Sequence, residues 1–352
     1  MHKQKNVSDI REIIDISLTE GLASNTFSCA GIGFSNGIDR IIADTGTTIP
    51  HSDKKTSFAT LYDIASLQKP MVATVALKMI DRGAFKLTDQ IGWRLGATGR
   101  GWDDLNLYHL LTNSVKFEIT ERLDAMDPER MRSVILSANV ARLGDGFYYH
   151  NSTSIILGWF LEKALSAPLE KILQTEVIKP AGMRNTFWYS EIPSQRIEDV
   201  VPSENCPNRG LLKGTPQDEI TWMHAEHDQK IACAGLFSTA SDLVRFGEYL
   251  IRHAFENPSK LHTMMLTNYL APFDATFGLG FDIPRSRYLD DQYAQNTLYH
   301  TGFSGGFIQI QPRFGLVMAS LTNAKYPNRG NVRGPESPIY QWRQKLSHDV
   351  FG

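Results

Sequence analysis

Residues 27–46 read FSCAGIGFSNGIDRIIADTG, and Asn36-Gly37 parts the stretch into two short apolar runs. Asn-Gly suits the positive φ angles of a tight turn, so the stretch reads as a β-hairpin close to the N-terminus. The far end of the chain carries a matching signal. Residues 305–312, GGFIQIQP, and 316–323, LVMASLTN, flank Arg313-Phe314-Gly315 and read as a second hairpin. Between these ends the apolar spacing is helical, with helices expected near 67–82, 105–112, 129–140, 152–165, 169–176 and 239–254. Ser238 stands where a cap is expected for the last of these, and Asp242 falls in its first turn. A helix over 7–22 precedes the first hairpin, with Ile10, Ile13, Ile14, Ile16 and Leu18 at helical spacing, and one over 338–350 closes the chain. Residues 186–235 hold Pro193, Pro202, Pro207 and Pro216 and read as a long irregular segment of the lid or binding-loop kind.

Strands at both ends and helices between them imply an α+β fold, an antiparallel sheet assembled from the two chain ends with a mostly helical insertion. The expected division is a single domain over 1–352, with an α/β part over about 1–70 and 236–352 and a helical and looped insertion over about 71–235. Apolar content of 42%, charged content of 21% and a formal net charge of −2 belong to an ordinary globular chain. No basic run points to nucleic acid, and no apolar stretch reaches membrane-spanning length. Cys29, Cys206 and Cys233 are odd in number and far apart, which argues for free thiols and against a disulfide framework or a Cys-rich zinc site. The N-terminus lacks the apolar core and cleavage site of a secretory signal, so a cytoplasmic location is expected, without membrane or nucleic-acid partners.

The stretch with chemical content is IASLQKPM, residues 64–71. A helix starting near Ser66 puts Ser66 and Lys69 one turn apart on one face, and Pro70 is tolerated in the first turn. Helix-start N–H groups and the helix dipole favour a developing oxyanion there. A serine hydroxyl needs a base to become nucleophilic, and Lys69 is the candidate. The pattern alone is common: Ser52 and Lys55 repeat it in a polar loop with no apolar helix behind it. A helix-start serine beside a solvated lysine is the competing reading.

Two further stretches decide between them. Tyr149-His150-Asn151 immediately precedes a helical run, and His300-Thr301-Gly302 opens a strand that leads into a Gly-rich turn. In the order S-x-x-K, Y-x-N, H-x-G, the chain resembles the serine β-lactamases and penicillin-binding proteins, and looks closest to their class C, esterase and D-peptidase branch. Segments 64–91, 105–114, 169–188, 232–250 and 300–323 are similar to that family's segments in the same order, over roughly residues 10 to 345. A second Y-x-N, Tyr326-Pro327-Asn328, falls after the last strand and does not fit; Tyr148 lacks an asparagine two residues on.

The resemblance implies a serine hydrolase that forms an acyl-enzyme on Ser66, with Lys69 and Tyr149 sharing the base role. It places the oxyanion hole at the N–H groups of Ser66 and Phe303, and substrate contacts at Asn151, His300, Thr301 and Gly302, with Asn151 holding either Lys69 or the substrate amide. Asn151 also stands where a helix cap is expected. The implied substrate is a small ester, amide or peptide, with no cofactor and no metal. Lysine is common in the family at the position of His300, and a neutral histidine there favours ester, amide or D-peptide cleavage over dedicated β-lactam hydrolysis. A second departure is TNSVKFE, residues 112–118, where a Gly turn is replaced by Val115-Lys116; Lys116 reads as solvent-facing, with added pocket charge as the alternative.

Other features read as structural. His224, Glu226, His227 and Asp228 form a polar loop before they form a metal site. Trp102 and Trp222 are candidates for an apolar acyl pocket, with packing as the default. The 186–235 and 113–120 segments are expected to carry specificity. The competing function is a non-catalytic, penicillin-binding-like module that binds ligands or assembles.

Overall fold

The computed structural model describes residues 5–49, 52–283, 294, 296–330 and 334–352. Helix α1 (Val7–Ala23) leads into β1 (Cys29–Ser35) and β2 (Arg40–Gly46), an antiparallel hairpin. Its turn is the Asn-Gly one: Asn36 Oδ1 accepts the N–H groups of Ile38 and Asp39, and Gly37 takes φ 84°. Later come helices α2 (Gln68–Asp81), α3 (Asn151–Leu165) and α4 (Ala240–Arg252). Strands β3 (Leu298–Thr301), β4 (Phe307–Gln311) and β5 (Leu316–Thr322) follow, and α5 (Pro338–Phe351) closes the chain. The five strands form one antiparallel sheet in the order β3-β4-β5-β1-β2. The two chain ends meet where β1 pairs with β5, Ala30 opposite Thr322 and Ser35 opposite Val317.

Both faces of this sheet are covered, so β1, β4 and β5 are buried at every position, the glutamines Gln309 and Gln311 of β4 included. Ala30, Ile32, Phe34, Phe307 and Met318 pack with α1 and α5 through Ile10, Ile14, Trp342 and Leu346. The opposite face takes α4. The glycines of β1 explain how closely it sits: a Cβ on Gly33 would stand 2.6 Å from Val244 Cγ2. A larger residue there would push the helix off the sheet.

Helix α2 is buried on all sides from Gln68 to Met79. It runs through the helical part of the molecule, packed among α3, the helix Leu169–Leu173 and the turn Gln174–Ile178. That placement explains its unbroken apolar sequence. Its polar residues are each used. Gln68 donates to Ile231 O at 2.7 Å and accepts the Leu236 N–H at 3.1 Å, and Lys78 pairs with Glu176 at 2.7 Å.

The bounds of three helices differ from the sequence expectations. The cap of α4 is Thr239, whose Oγ1 accepts the Asp242 N–H; Ser238 ends the short strand Leu236–Ser238 and bonds Thr186. The helix expected to reach 140 stops at Ser137, because Val140–Leu143 is taken up as a strand by Val115–Phe117. The helix beginning at Leu169 widens into a π turn over Gln174–Ile178. The 186–235 segment is built of short pieces: the strand Phe187–Trp188, a hairpin of Glu204–Cys206 with Gly210–Leu212, and the helix Glu219–Ala225. Cys29, Cys206 and Cys233 are free thiols.

Candidate active site

Ser66 lies in a single 3₁₀ turn, Ala65–Leu67, between the short strand Tyr62–Asp63 and the start of α2. The residue before it, Ala65, sits at φ 47°, a left-handed conformation that costs a non-glycine residue about 1 kcal/mol. Asp63 holds that turn. Its Oδ1 accepts the Ala65 N–H at 2.8 Å, and its Oδ2 accepts the Gln217 N–H at 2.8 Å. Burial pushes the Asp63 carboxyl up to about 6, against the two backbone N–H groups that favour its charge. The hydroxyl of Ser304, in the turn after β3, donates to Asp63 O at 2.8 Å, which stitches the sheet to the same turn.

One helical turn past Ser66, Lys69 Nζ is 3.0 Å from Ser66 Oγ, 2.8 Å from Tyr149 OH and 2.8 Å from Asn151 Oδ1. Lys69 is 8% exposed, whereas Tyr149 is 45% exposed, so the lysine is sealed in while the tyrosine reaches the opening. Tyr149 and Asn151 arrive together because α3 starts there. The N-cap position of α3 is His150, and Asn151 is its first helical residue. The cap expected of Asn151 is therefore not made; its amide turns inward to Lys69 and to Asp218 Oδ2, at 2.8 Å.

The third side is the end of β3. A Cβ on Gly302 would stand 2.7 Å from Ile64 O, so glycine lets the strand run directly against the Ser66 turn. Phe303 follows in the same segment. His300 is 5% exposed, with its ring 6.2 Å from that of Tyr149. Burial, and after it the positive charge of Lys69, push the imidazole down to about 3. It is neutral at pH 7 and supplies no fixed charge.

These groups open into a cavity of about 790 Å³. One side is aromatic, with Phe147, Tyr149 and Phe277, the Phe147 and Phe277 rings 5.1 Å apart, whereas the Phe303 ring lies against Lys325 and Arg329, 5.3 and 5.2 Å away. Another side carries Lys325, Arg329 and Arg343. Arg329 is ion-paired to Glu204 at 2.7 Å and Glu219 at 2.5 Å. Arg343 donates to two backbone carbonyls, Ile339 O at 3.2 Å and Gly306 O at 3.4 Å. Among the described residues it meets no carboxylate, and burial holds its guanidinium below the usual arginine range.

Ser66, Lys69, Tyr149, Asn151, His300, Thr301, Gly302 and Phe303 thus converge on one place. Other candidates do not. Trp102 is buried, donates to Ala138 O and packs on Phe117; Trp222 packs against the helical core, and neither lines the cavity. No residue of 113–120 lines it either: Val115 and Phe117 turn into the helical core, and Lys116 faces solvent from a short strand. From the 186–235 segment, Gln217, Asp218, Glu219 and Ala234 do line it. His224 and His227 bond carbonyls of the helix Glu219–Ala225, Ile220 O and Met223 O. Among the described residues no three His, Cys, Asp or Glu side chains gather as a metal site. Asp63, Asp218 and Arg343 escaped the sequence reading. Only Asp218 carried a local signal, an aspartate three residues before Thr221 at a helix start.

The family model described as Beta-lactamase matches residues 30–337. A Salmonella paratyphi B protein named "Putative D-alanyl-D-alanine carboxypeptidase" is 22% identical over 345 residues, covering 88% of this chain and 76% of its own length. Among solved structures, EstCE1, a hydrolase with promiscuous acyltransferase activity, aligns with TM-score 0.77 at 15% identity over 98% of this chain and 99% of its own. The β-lactamase/D-alanine carboxypeptidase of Pseudomonas syringae aligns with TM-score 0.73 at 17% identity, over 97% and 98%. At these identities the two structures are likenesses of fold.

Proposed function

The chain belongs to the β-lactamase family of serine hydrolases, and we propose that it cleaves a small ester or amide through an acyl-enzyme on Ser66. The observation that carries this reading is Lys69 Nζ within 3.0 Å of Ser66 Oγ and 2.8 Å of Tyr149 OH, at the foot of an open cavity. The Ser66 proton passes to the Lys69–Tyr149 pair as Oγ attacks the substrate carbonyl. The N–H groups of Ser66 and Phe303 stabilise the oxyanion, each worth a few kcal/mol in the transition state. The tetrahedral intermediate collapses when Tyr149 protonates the leaving alcohol or amine, which leaves the acyl group on Oγ. Water then attacks the acyl carbon, gives its proton to the same pair, and releases the acid as Oγ regains a proton.

Substrate preference follows from the cavity walls. Phe147 and Phe277 suit an apolar or aromatic acyl group. Neutral His300 offers no charge beside the scissile bond, which supports weak or absent β-lactamase activity. A second reading, cleavage of an amide that bears a free carboxylate, is favoured by Arg343, a cavity-lining guanidinium bonded only to carbonyls among the described residues.

The test is labelling with a fluorophosphonate probe and hydrolysis of p-nitrophenyl butyrate. Wild type is expected to label and turn over, and Ser66→Ala to do neither. Folded wild type that takes up no probe would establish the competing, non-catalytic ligand-binding or assembly reading. Efficient turnover of a chromogenic cephalosporin would remove the inference drawn from His300.

A further inference from the structure

We propose that Asp218 is a positioning residue that sets the orientation of the Asn151 amide and thereby the direction of the Lys69 lone pair. This assignment rests on the acyl-enzyme reading and deepens it.

Asp218 carries two carboxylate oxygens with separate partners. Oδ1 accepts the Thr221 N–H and the Thr221 hydroxyl, both at 2.9 Å, and so caps the helix Glu219–Ala225. Oδ2 accepts Asn151 Nδ2 at 2.8 Å. An ionised carboxylate only accepts, so it draws the NH₂ end of Asn151 toward itself. The carbonyl end must then face Lys69, where Oδ1 stands 2.8 Å from Nζ. Asp218 thus determines which end of a nearly symmetrical amide meets the lysine.

That choice matters in the state of the pair in which Tyr149 holds the shared proton, because Lys69 is then an amine with two N–H bonds and one lone pair. To take the Ser66 proton, Nζ must turn the lone pair to Oγ and send both N–H bonds elsewhere. Two acceptors stand ready: Tyr149 O and Asn151 Oδ1, each 2.8 Å away. With the tyrosine oxygen accepting from Nζ, the tyrosine proton remains available for the leaving group. A reversed Asn151 would instead offer N–H to Nζ and claim the lone pair that Ser66 needs. Substrate and oxyanion sites would be intact, and proton transfer would be blocked.

The test exploits the two oxygens of Asp218. Asp218→Asn keeps a good N-cap, because asparagine caps as well as aspartate. With its oxygen on Thr221, however, its NH₂ faces the NH₂ of Asn151, and Asn151 reverses. The expected result on p-nitrophenyl butyrate is a fall in kcat of about 100-fold, the scale of lost general-base catalysis, with KM within about threefold. Asp218→Ser also caps but does not reach Asn151, and its kcat is expected to fall about tenfold, less than for the reversed amide. The decisive variant is the exchange Asn151→Asp with Asp218→Asn. The carboxylate introduced at position 151 would accept from Lys69 on one oxygen and from the NH₂ at position 218 on the other, which restores the hydrogen-bond order. Its kcat is expected to exceed that of Asp218→Asn by about tenfold or more, a coupling that a purely structural cap cannot produce. Asp218→Asn with kcat within threefold of wild type, or an exchange variant no faster than the slower single variant, overturns the assignment. Wild type that is neither labelled nor active overturns the acyl-enzyme reading itself, a result distinguishable from a labelled wild type with an unaffected Asp218→Asn.

Discussion

Gly302→Ala tests the contact between sheet and nucleophile turn. The added methyl would stand 2.7 Å from Ile64 O and 3.4 Å from Leu67 Cγ. The first of these is backbone, with no rotamer to yield. An ordinary C···O contact is about 3.3 Å or more, so the end of β3 must withdraw by roughly 0.6 Å. A 2.9 Å hydrogen bond from Phe303 to an oxyanion would then lengthen to roughly 3.5 Å, the edge of a useful bond. Loss of one such donor costs about 3 kcal/mol in the transition state, about 100-fold in kcat. Overpacking adds a stability loss of about 1–3 kcal/mol. Initial rates on p-nitrophenyl butyrate and urea unfolding separate the two effects. Gly83→Ala is the control: Gly83 has φ 73° with nothing within 4 Å of an added methyl, so it loses about 1 kcal/mol of stability and keeps its kcat. If Gly302→Ala loses stability while kcat stays within threefold of wild type, the strand end does not position the oxyanion donor.

Three further outcomes are expected. Lys78→Met removes a 4% exposed ammonium that is 2.7 Å from Glu176 and 2.9 Å from Tyr249 OH, and leaves Glu176 with Arg82 at 3.2 Å. Urea unfolding should show a loss of about 2–4 kcal/mol, and a loss below about 0.5 kcal/mol would show the buried pair to be dispensable. Burial pushes the Asp44 carboxyl from 3.8 up to about 6, so its contribution favours the fold when protonated, is complete below about pH 4 and is lost as pH rises through 6. The gap corresponds to about 3 kcal/mol, which partial exposure reduces to about 1–2. Asp44→Asn should therefore be more stable by that amount at pH 8 and show a flatter stability profile between pH 4 and 7; an unchanged profile would refute this. Arg343→Met should lower kcat/KM about tenfold for p-nitrophenyl hydrogen glutarate and less than twofold for its methyl ester, and equal losses on both would deny Arg343 a carboxylate partner.

What the sequence made legible was local or ordered. Asn36-Gly37 specified the first hairpin because its turn chemistry is contained in four residues. Ser66, Lys69, Tyr149 and His300 were found through their order along the chain, and the fold brings them together. The errors share a cause in long-range contact. Ser238 and Thr239 are both good caps, and only the pairing of Leu236–Ser238 with its neighbours decides between them. Residues 138–140 look helical until Val115–Phe117 claims 140–143 as a strand partner. Asp63 and Arg343 left no local signal, and the cap signal of Asp218 did not reveal its bond to Asn151, for the same reason. Asp63 meets Gln217 from 154 positions away, and Asp218 meets Asn151 from 67. No window of sequence contains such a pair.

Several features that a stable fold would avoid meet around Ser66. Ala65 is left-handed, Asp63 is a fully buried carboxylate with no cation bonded to it among the described residues, His300 is held neutral by burial, and Lys69 is enclosed. Each is unfavourable alone, and each is maintained by a different element. The strand Tyr62–Asp63 supplies the carboxylate that fixes Ala65, β3 supplies the close approach of Gly302, α3 supplies Tyr149 and Asn151, and α2 supplies Lys69. Local strain persists only where several elements over-determine it. Relaxing any one of them therefore should stabilise its own surroundings while loosening the register of the others.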